Sequence, residues 1–314
     1  GSEMCIRDRN NTGENLFYFT EHSHVAAEQT GYSDYSYWRS VIQTFLKKKG
    51  AVFMMVLFVA IVVFSYIALD IGKYDYSDLK VDTTLAFINP NKDYWFGTDN
   101  LGRDYRCQVW YAAQISIKLA IIVVLGECVI GVTVGCIWGY IRSTDRFFTE
   151  LYNVVNNIPM IIYMTLVAMI VGQTFVTMAA AMISIGWLKM ARNVRNLVMV
   201  YRDREYNLAS RCLGTPVWRI MIRNILPYLV SVIILRLAVS IPQTIALEST
   251  LSYLGLGLGI ETPSLGILLR NSRTYFLERP YLLVFPAVIV SAITVTFYLV
   301  GNAFSDAADP KNHV

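Results

Sequence analysis

Residues 51–69 read AVFMMVLFVAIVVFSYIAL, an apolar run broken only by Ser65. At about 1.5 Å of rise per residue, a helix of this length matches a hydrocarbon core of about 30 Å. Lys47, Lys48 and Lys49 precede it directly and assign its start to the cytoplasmic side. Just upstream, Trp38, Val41, Ile42, Phe45 and Leu46 recur at helical spacing, which predicts an amphipathic helix lying at the interface over residues 37–50. Downstream, apolar runs at 115–141, 151–171, 175–188, 228–247 and 281–304 complete a set of six predicted spans. The sequence therefore reads as an all-α polytopic membrane protein. An even number of spans puts both termini on one side.

Composition agrees. Of 314 residues, 55% are hydrophobic and 16% charged, with a mean hydropathy of +0.43. A soluble domain carries about 25% charged residues, so a fully water-facing surface is excluded. The net charge of +4 is spread along the chain and gives no sign of nucleic acid. Cys5, Cys107, Cys128, Cys136 and Cys212 form no CxxC pair, and His22, His24 and His313 all lie outside the apolar runs. Neither a disulfide framework nor a metal site is expected.

The organisation follows from the runs. Residues 1–36 form a polar tail, of which 1–10 read as non-native, and no apolar signal core occurs before Ala51. The first span covers 51–71, an external loop 72–112, a five-helix core 115–304 and a short cytoplasmic tail 305–314. Ten basic residues between Arg142 and Arg223 fall in the predicted cytoplasmic loops, against three in the predicted external segment 249–280. This bias supports N-in, C-in topology.

The longest polar excursion inside the core, residues 189–227, contains ARNVRNLVMVYRDREYNLASRCLGTPVWRIMIRNILP. Val194, Leu197, Val198, Tyr201, Leu208 and Cys212 keep helical spacing, and Gly214, Thr215 and Pro216 break it. A plain connector does not need nearly forty residues. Leu208-Ala209-Ser210, Gly214 and Leu226-Pro227 resemble the "EAA" loop of permeases of ATP-binding-cassette importers. In that family the loop's helix enters a groove on an ATPase subunit. Leu208 stands where the family has its first Glu, Ser210 where it has its second Ala, and Asn224 where Ile is usual. Glu205, one turn before Leu208, keeps an acidic group on that face.

Two further stretches narrow the resemblance. Trp95-Phe96-Gly97-Thr98-Asp99-Asn100-Leu101-Gly102-Arg103-Asp104 and Leu251-Ser252-Tyr253-Leu254-Gly255-Leu256-Gly257 are similar to hallmarks of the dipeptide, oligopeptide and nickel permease family. Pro263-Ser264-Leu265-Gly266 and Ser305-Asp306-Ala307-Ala308-Asp309-Pro310 agree with it. The likeness covers about residues 37–313 and is strongest to the C-type subunit of Gram-positive oligopeptide importers. It implies half of a translocation pathway in a bacterial cell membrane, working by alternating access. It also implies a sister permease, two ATPases that bind ATP and Mg, and an extracellular peptide-binding protein. Oligopeptides are the implied cargo, with dipeptides or nickel as alternatives. No cofactor and no catalytic residue are expected in this chain.

Physically, Gly97 and Gly102 permit tight turns, and Thr98 and Asp99 are expected to cap the helix that follows. The Leu/Gly alternation at 254–259 lacks the GxxxxGK[ST] pattern and reads as a close-packed external turn. Within the runs, a charge at a helix centre costs about 2.5–3.5 kcal/mol and marks a cavity or partner. Glu127, Arg236 and Glu248 are therefore the candidate pathway residues, while Lys118 can snorkel to the interface. An intramembrane enzyme would need paired carboxylates, a serine–base pair or a His/Glu cluster, and a secondary transporter would need inverted repeats. Neither pattern is visible.

Overall fold

The computed structural model describes residues 37–71, 82–259 and 262–308. The readings of the tails at 1–36 and 309–314 and of the loop at 72–81 lie outside them. Within these residues the chain is helical, with one isolated bridge between Thr98 and Asp104. Helix α1 spans Tyr37–Lys47 and α2 Lys49–Ile71. Helix α3 covers Tyr105–Tyr140, α4 Arg142–Asn156, α5 Met160–Val171 and α6 Phe175–Arg202. A hairpin of α7 (Glu205–Cys212) and α8 (Val217–Ile220) leads through a π-helical segment, Met221–Ile225, into α9 (Leu226–Tyr253). The short α10 (Leu265–Ser272) and the long α11 (Tyr281–Ala308) complete the described chain.

Among the described residues, four helices (α2, α3, α9 and α11) are long and apolar enough to cross a membrane, and a fifth crossing results if α4 and α5 count as one. The six-run reading differs at two places. The run at 151–171 is interrupted, because Pro159 cannot continue a helix. There α4 and α5 meet at 81°. The run at 175–188 belongs to a longer helix that continues to Arg202. Its apolar stretch ends at Leu188, and Lys189 and Arg192 follow, so α6 is less apolar than the other four. The polar excursion that begins at Met190 is thus helical for its first third.

Helix α6 continues because Val194 and Val198 are fully buried against α3. The contact is unusually close. Gly131, Gly135 and Gly139 recur every fourth residue along α3 and face α6. A Cβ at 131 would lie 2.6 Å from the Met190 Cβ, at 135 the same distance from the Ala191 carbonyl, and at 139 2.8 Å from the Arg195 carbonyl. Stripes of small residues let membrane helices gain dispersion contacts where no hydrophobic effect drives them together. At the end of the stripe, the buried Arg202 donates to the Gly139 carbonyl at 2.9 Å, serving a carbonyl in the last turn of α3.

A second tie comes from Pro286 in α11. Proline has no N–H, so the Leu282 carbonyl one turn earlier lacks its helical donor. Hydroxyls of Tyr105 and Ser272 bond that carbonyl instead, at 2.5 and 2.7 Å, joining α11 to α3 and α10. Helix α2 is anchored through the Ser65 carbonyl, which accepts from Gln114 of α3 at 2.9 Å.

At the start of α3 the capping differs from the sequence reading. Asp104 is the N-cap, accepting from the Arg106 amide at 2.9 Å. Thr98 and Asp99 order the preceding loop instead. Thr98 bonds the Leu85 carbonyl and the Ile88 amide, while Asp99 takes the Leu101 and Arg103 amides, the Arg103 guanidinium and Gln108. The reason is spacing: Asp104 directly precedes the first helical residue, whereas Asp99 is five residues further back.

Gly135→Ala should separate α3 from α6, because its methyl group meets backbone. Gly126→Ala should be nearly neutral, because there the nearest atom is the flexible Ile183 Cδ1. Overpacking of this kind costs about 1–3 kcal/mol. Thermal melting of the purified protein should show a clear loss for the first variant alone.

Candidate coupling hairpin and membrane cavity

The hairpin is built from its backbone outward. Helix α7 ends in a left-handed residue, Gly214 at φ +76, where the Gly214 amide bonds Arg211 O at 2.9 Å and the Thr215 amide bonds Ser210 O at 3.1 Å. This pair of bonds is a Schellman stop, which glycine enters without Cβ strain. Pro216 then fixes the entry to α8 as its N-cap.

Three asparagine and serine side chains lock the two arms. Asn207 is fully buried and donates to the Tyr201 carbonyl at 2.9 Å. Asn224 donates to Asn207 Oδ1 at 3.0 Å and to Ser210 Oγ at 3.3 Å. Two departures from the family pattern, Ser210 and Asn224, are therefore partners of one another. Arg211 donates to the Tyr140 hydroxyl at 3.0 Å and lies over its ring, clamping α7 to the end of α3. Asp203 takes a two-point bond from Arg202 and faces Arg142 at 3.8 Å. The hydrogen bond from Arg202 holds its carboxyl below the ordinary carboxylate range. The pairing therefore persists above that range and is lost only as pH falls through the lowered value.

What this frame presents outward is apolar. Leu213 is 85% exposed and Trp218 62%, with Leu208 and Val217 also exposed beside them. Glu205 and Ala209 lie on the same exposed stretch. Exposed apolar patches of this kind mark surfaces that meet another protein or a membrane.

Between the helices lies a cavity of about 290 Å³, lined by α3, α5, α6 and α9. Glu127 and Arg236, named from sequence, both line it. Lys189, Asn193, Gln243 and Thr244 join them, and sequence reasoning missed these four. The sequence reading places Lys189 and Asn193 in the loop after α6's apolar run, whereas both lie on the helix itself. The four-residue spacing of Lys189 and Asn193 on one helix is the signal that would have found them.

Glu248 lies elsewhere. It is fully buried near the end of α9, where Ser252, Ser116 and Ser249 hydroxyls approach its carboxylate at 2.8, 3.1 and 3.5 Å. Ser116 also accepts from the Leu265 amide and Ser252 from the Leu258 amide, both at 3.3 Å. Glu248 is thus the hub that fastens α9 to α3 and to the turns flanking 254–265. The Gly255 turn, at φ +83, is tied in turn to Gln173, which bonds the Gly255 carbonyl and the Gly259 amide. Among the described residues, no group of three or more His, Cys, Asp or Glu side chains is placed to hold a metal ion.

Membrane-crossing helices around a cavity that holds charged side chains, with an apolar-tipped hairpin at one end, have the build of a transport permease. The comparisons agree. Residues 131–314 match the family of binding-protein-dependent transport system inner membrane components. Residues 36–91 match the N-terminal transmembrane domain of oligopeptide transport permease C. The chain is 39% identical over 299 residues to the oligopeptide transport system permease protein AmiD of Streptococcus pneumoniae, covering 95% of this chain and 97% of that protein. It is 31% identical to the oligopeptide permease OppC of Bacillus subtilis over 91% of this chain and 93% of that one. It is also 31% identical to the dipeptide permease DppC of the same species, over 87% and 84%. The chain belongs to the inner membrane components of binding-protein-dependent transport systems.

Glu248→Leu should strand three serine hydroxyls and loosen the 254–265 turns. Each orphaned polar group costs about 1–3 kcal/mol. Glu248→Gln keeps the shape and part of the bonding, so its melting temperature should fall less than that of the leucine variant.

Proposed function

We propose that the chain is one transmembrane half of an ATP-driven oligopeptide importer in a bacterial cell membrane. A sister permease completes the pathway, two ATPases dock at the hairpin, and an extracellular binding protein delivers peptide. ATP and Mg belong to the ATPases, and this chain contributes no catalytic residue. Dipeptide or nickel import is the alternative within the same family. The relatives' names support the peptide reading.

The observation that carries the coupling role is the exposed apolar edge of Leu208, Leu213, Val217 and Trp218 on the locked turn. Glu205, Ala209, Ser210, Gly214, Thr215 and Pro216 set its shape and rim, and the neighbouring arginines orient an acidic partner more than they bind it. Helix α6 runs from the cavity wall at Gly186 and Lys189 to the hairpin at Arg202, so it is a direct lever between them. Because α6 packs closely along α3, and Glu248 fastens α9 to α3, we assign the alternating motion to α3 and α6 moving as one body with the hairpin, relative to the sister permease. In this topology the hairpin and the termini are cytoplasmic, and residues 82–104 and 254–280 are external.

Leu213→Asp places a charge on the docking edge at a position that buries nothing in the chain. The ATPases should no longer copurify with the permease pair, and ATP-dependent peptide uptake should vanish while membrane insertion stays normal. Retained ATPases and normal uptake would reduce the hairpin to a connector. Single cysteines at Asn91 and Arg204, both exposed, should label from opposite sides of the membrane. Labelling from the same side would overturn the topology.

A further inference from the structure

The cavity holds an unusual set of side chains for a membrane interior. Glu127 comes from α3, Lys189 and Asn193 from α6, and Arg236 and Gln243 from α9. None of these five side chains makes a hydrogen bond or a close ion pair among the described residues. Lys189 acts on Glu127 only through space. Such groups are costly in lipid, and they persist where a watery path or a polar partner meets them.

The cavity is also shaped around one of them. Gly186 lies against Glu127, and the Cβ of any other residue at 186 would occupy the space of the carboxylate. A glycine on a helix interior is about 1 kcal/mol worse than alanine. Its presence leaves the carboxylate room at the cavity wall, where another residue would make this flexible side chain turn aside. On the other side, Arg236 is exposed, lines the cavity and has no partner among the described residues, on the helix that faces α6 across the space.

We propose that this cavity is a transit site for the charged ends of a zwitterionic peptide. Arg236 and Lys189 receive the terminal carboxylate, Glu127 receives the terminal ammonium, and Asn193 and Gln243 serve the backbone amides. The chemistry fits: a guanidinium takes a carboxylate by two parallel hydrogen bonds, and a carboxylate takes an ammonium by a charge-assisted one. Opposite charges sharing one cavity offset each other in the empty state, so the site is not left with a large unbalanced charge. The lining methionines Met160, Met182 and Met190 supply adaptable apolar walls for varied side chains. The proposal rests on the permease reading above and adds the ligand chemistry of its pathway.

The test uses the complete importer in proteoliposomes, with ATP inside and binding protein saturated with peptide outside. One hexapeptide is supplied in three forms: with free ends, as the C-terminal amide, and N-acetylated. Uptake by each variant is scaled to wild type for the same peptide. Arg236→Gln combined with Lys189→Gln should lower uptake of the free and acetylated forms about tenfold, the size of one charge-assisted bond lost. The amide should be little changed. Glu127→Gln should lower the free and amidated forms and spare the acetylated one. Arg236→Lys with Lys189 intact, which keeps the charge but loses the two-point geometry, should fall between wild type and the double variant for the free and acetylated forms.

Equal loss for all three forms would overturn the site. So would loss of the sister permease on purification, which would assign these residues to the subunit interface. If the wild-type importer failed to take up any peptide form, the permease reading itself would fall, a result distinct from either.

Discussion

At Gly131, Gly135 and Gly139, α3 and α6 come so close that a methyl group would collide with the facing helix, twice with its backbone. Much of the molecule depends on that approach. It places Glu127 opposite Gly186, so that two helices form one wall of the cavity. It brings the last turn of α6 against the last turn of α3, where Arg202 reaches the Gly139 carbonyl and Arg211 reaches Tyr140. The hairpin therefore stands on a rigid pair of helices rather than on a loose loop.

The opposite end is organised by satisfying polar groups that membrane helices cannot leave bare. Pro286 frees a carbonyl, and two hydroxyls from other helices take it. Glu248 is stranded among apolar helices, and serines from three segments surround it. Each polar exception thus becomes a cross-link between elements far apart in sequence. The cavity breaks this pattern, since its charged side chains find no such partners among the described residues.

Much of this was legible in the residues. The run at 51–69 lies within α2, and the breakpoint at Gly214–Pro216 is the hairpin's turn, because runs and breakers act locally. The cost of charge in lipid marks Glu127 and Arg236 in the sequence, and the structure brings both to one cavity. Other features were not readable, and for physical reasons. The 81° bend at Pro159 depends on the polar character of α4, which gives that helix no cause to continue α5 through the membrane. The continuation of α6 to Arg202 depends on buried contacts of Val194 and Val198 with α3, which no single helix reveals. The serine surroundings of Glu248 are not readable from its own stretch, because Ser116 and Ser264 return to it only in the folded chain. The partnership of Ser210 with Asn224 spans fourteen residues and needs the folded hairpin.

The central claim is that α3 and α6 form one rigid body that moves with the hairpin when ATP is used. Pulsed spin-label distances in the reconstituted importer test it directly. One label pair, at Val129 and Val200, reports α3 against α6, and another, between Val200 and the sister permease, reports the motion of that body across the pathway; Val129 and Val200 are both exposed. Between nucleotide-free and ATP-trapped states, the first distance should stay constant while the second shifts by several ångströms. A change in the first with the second unchanged would contradict the account.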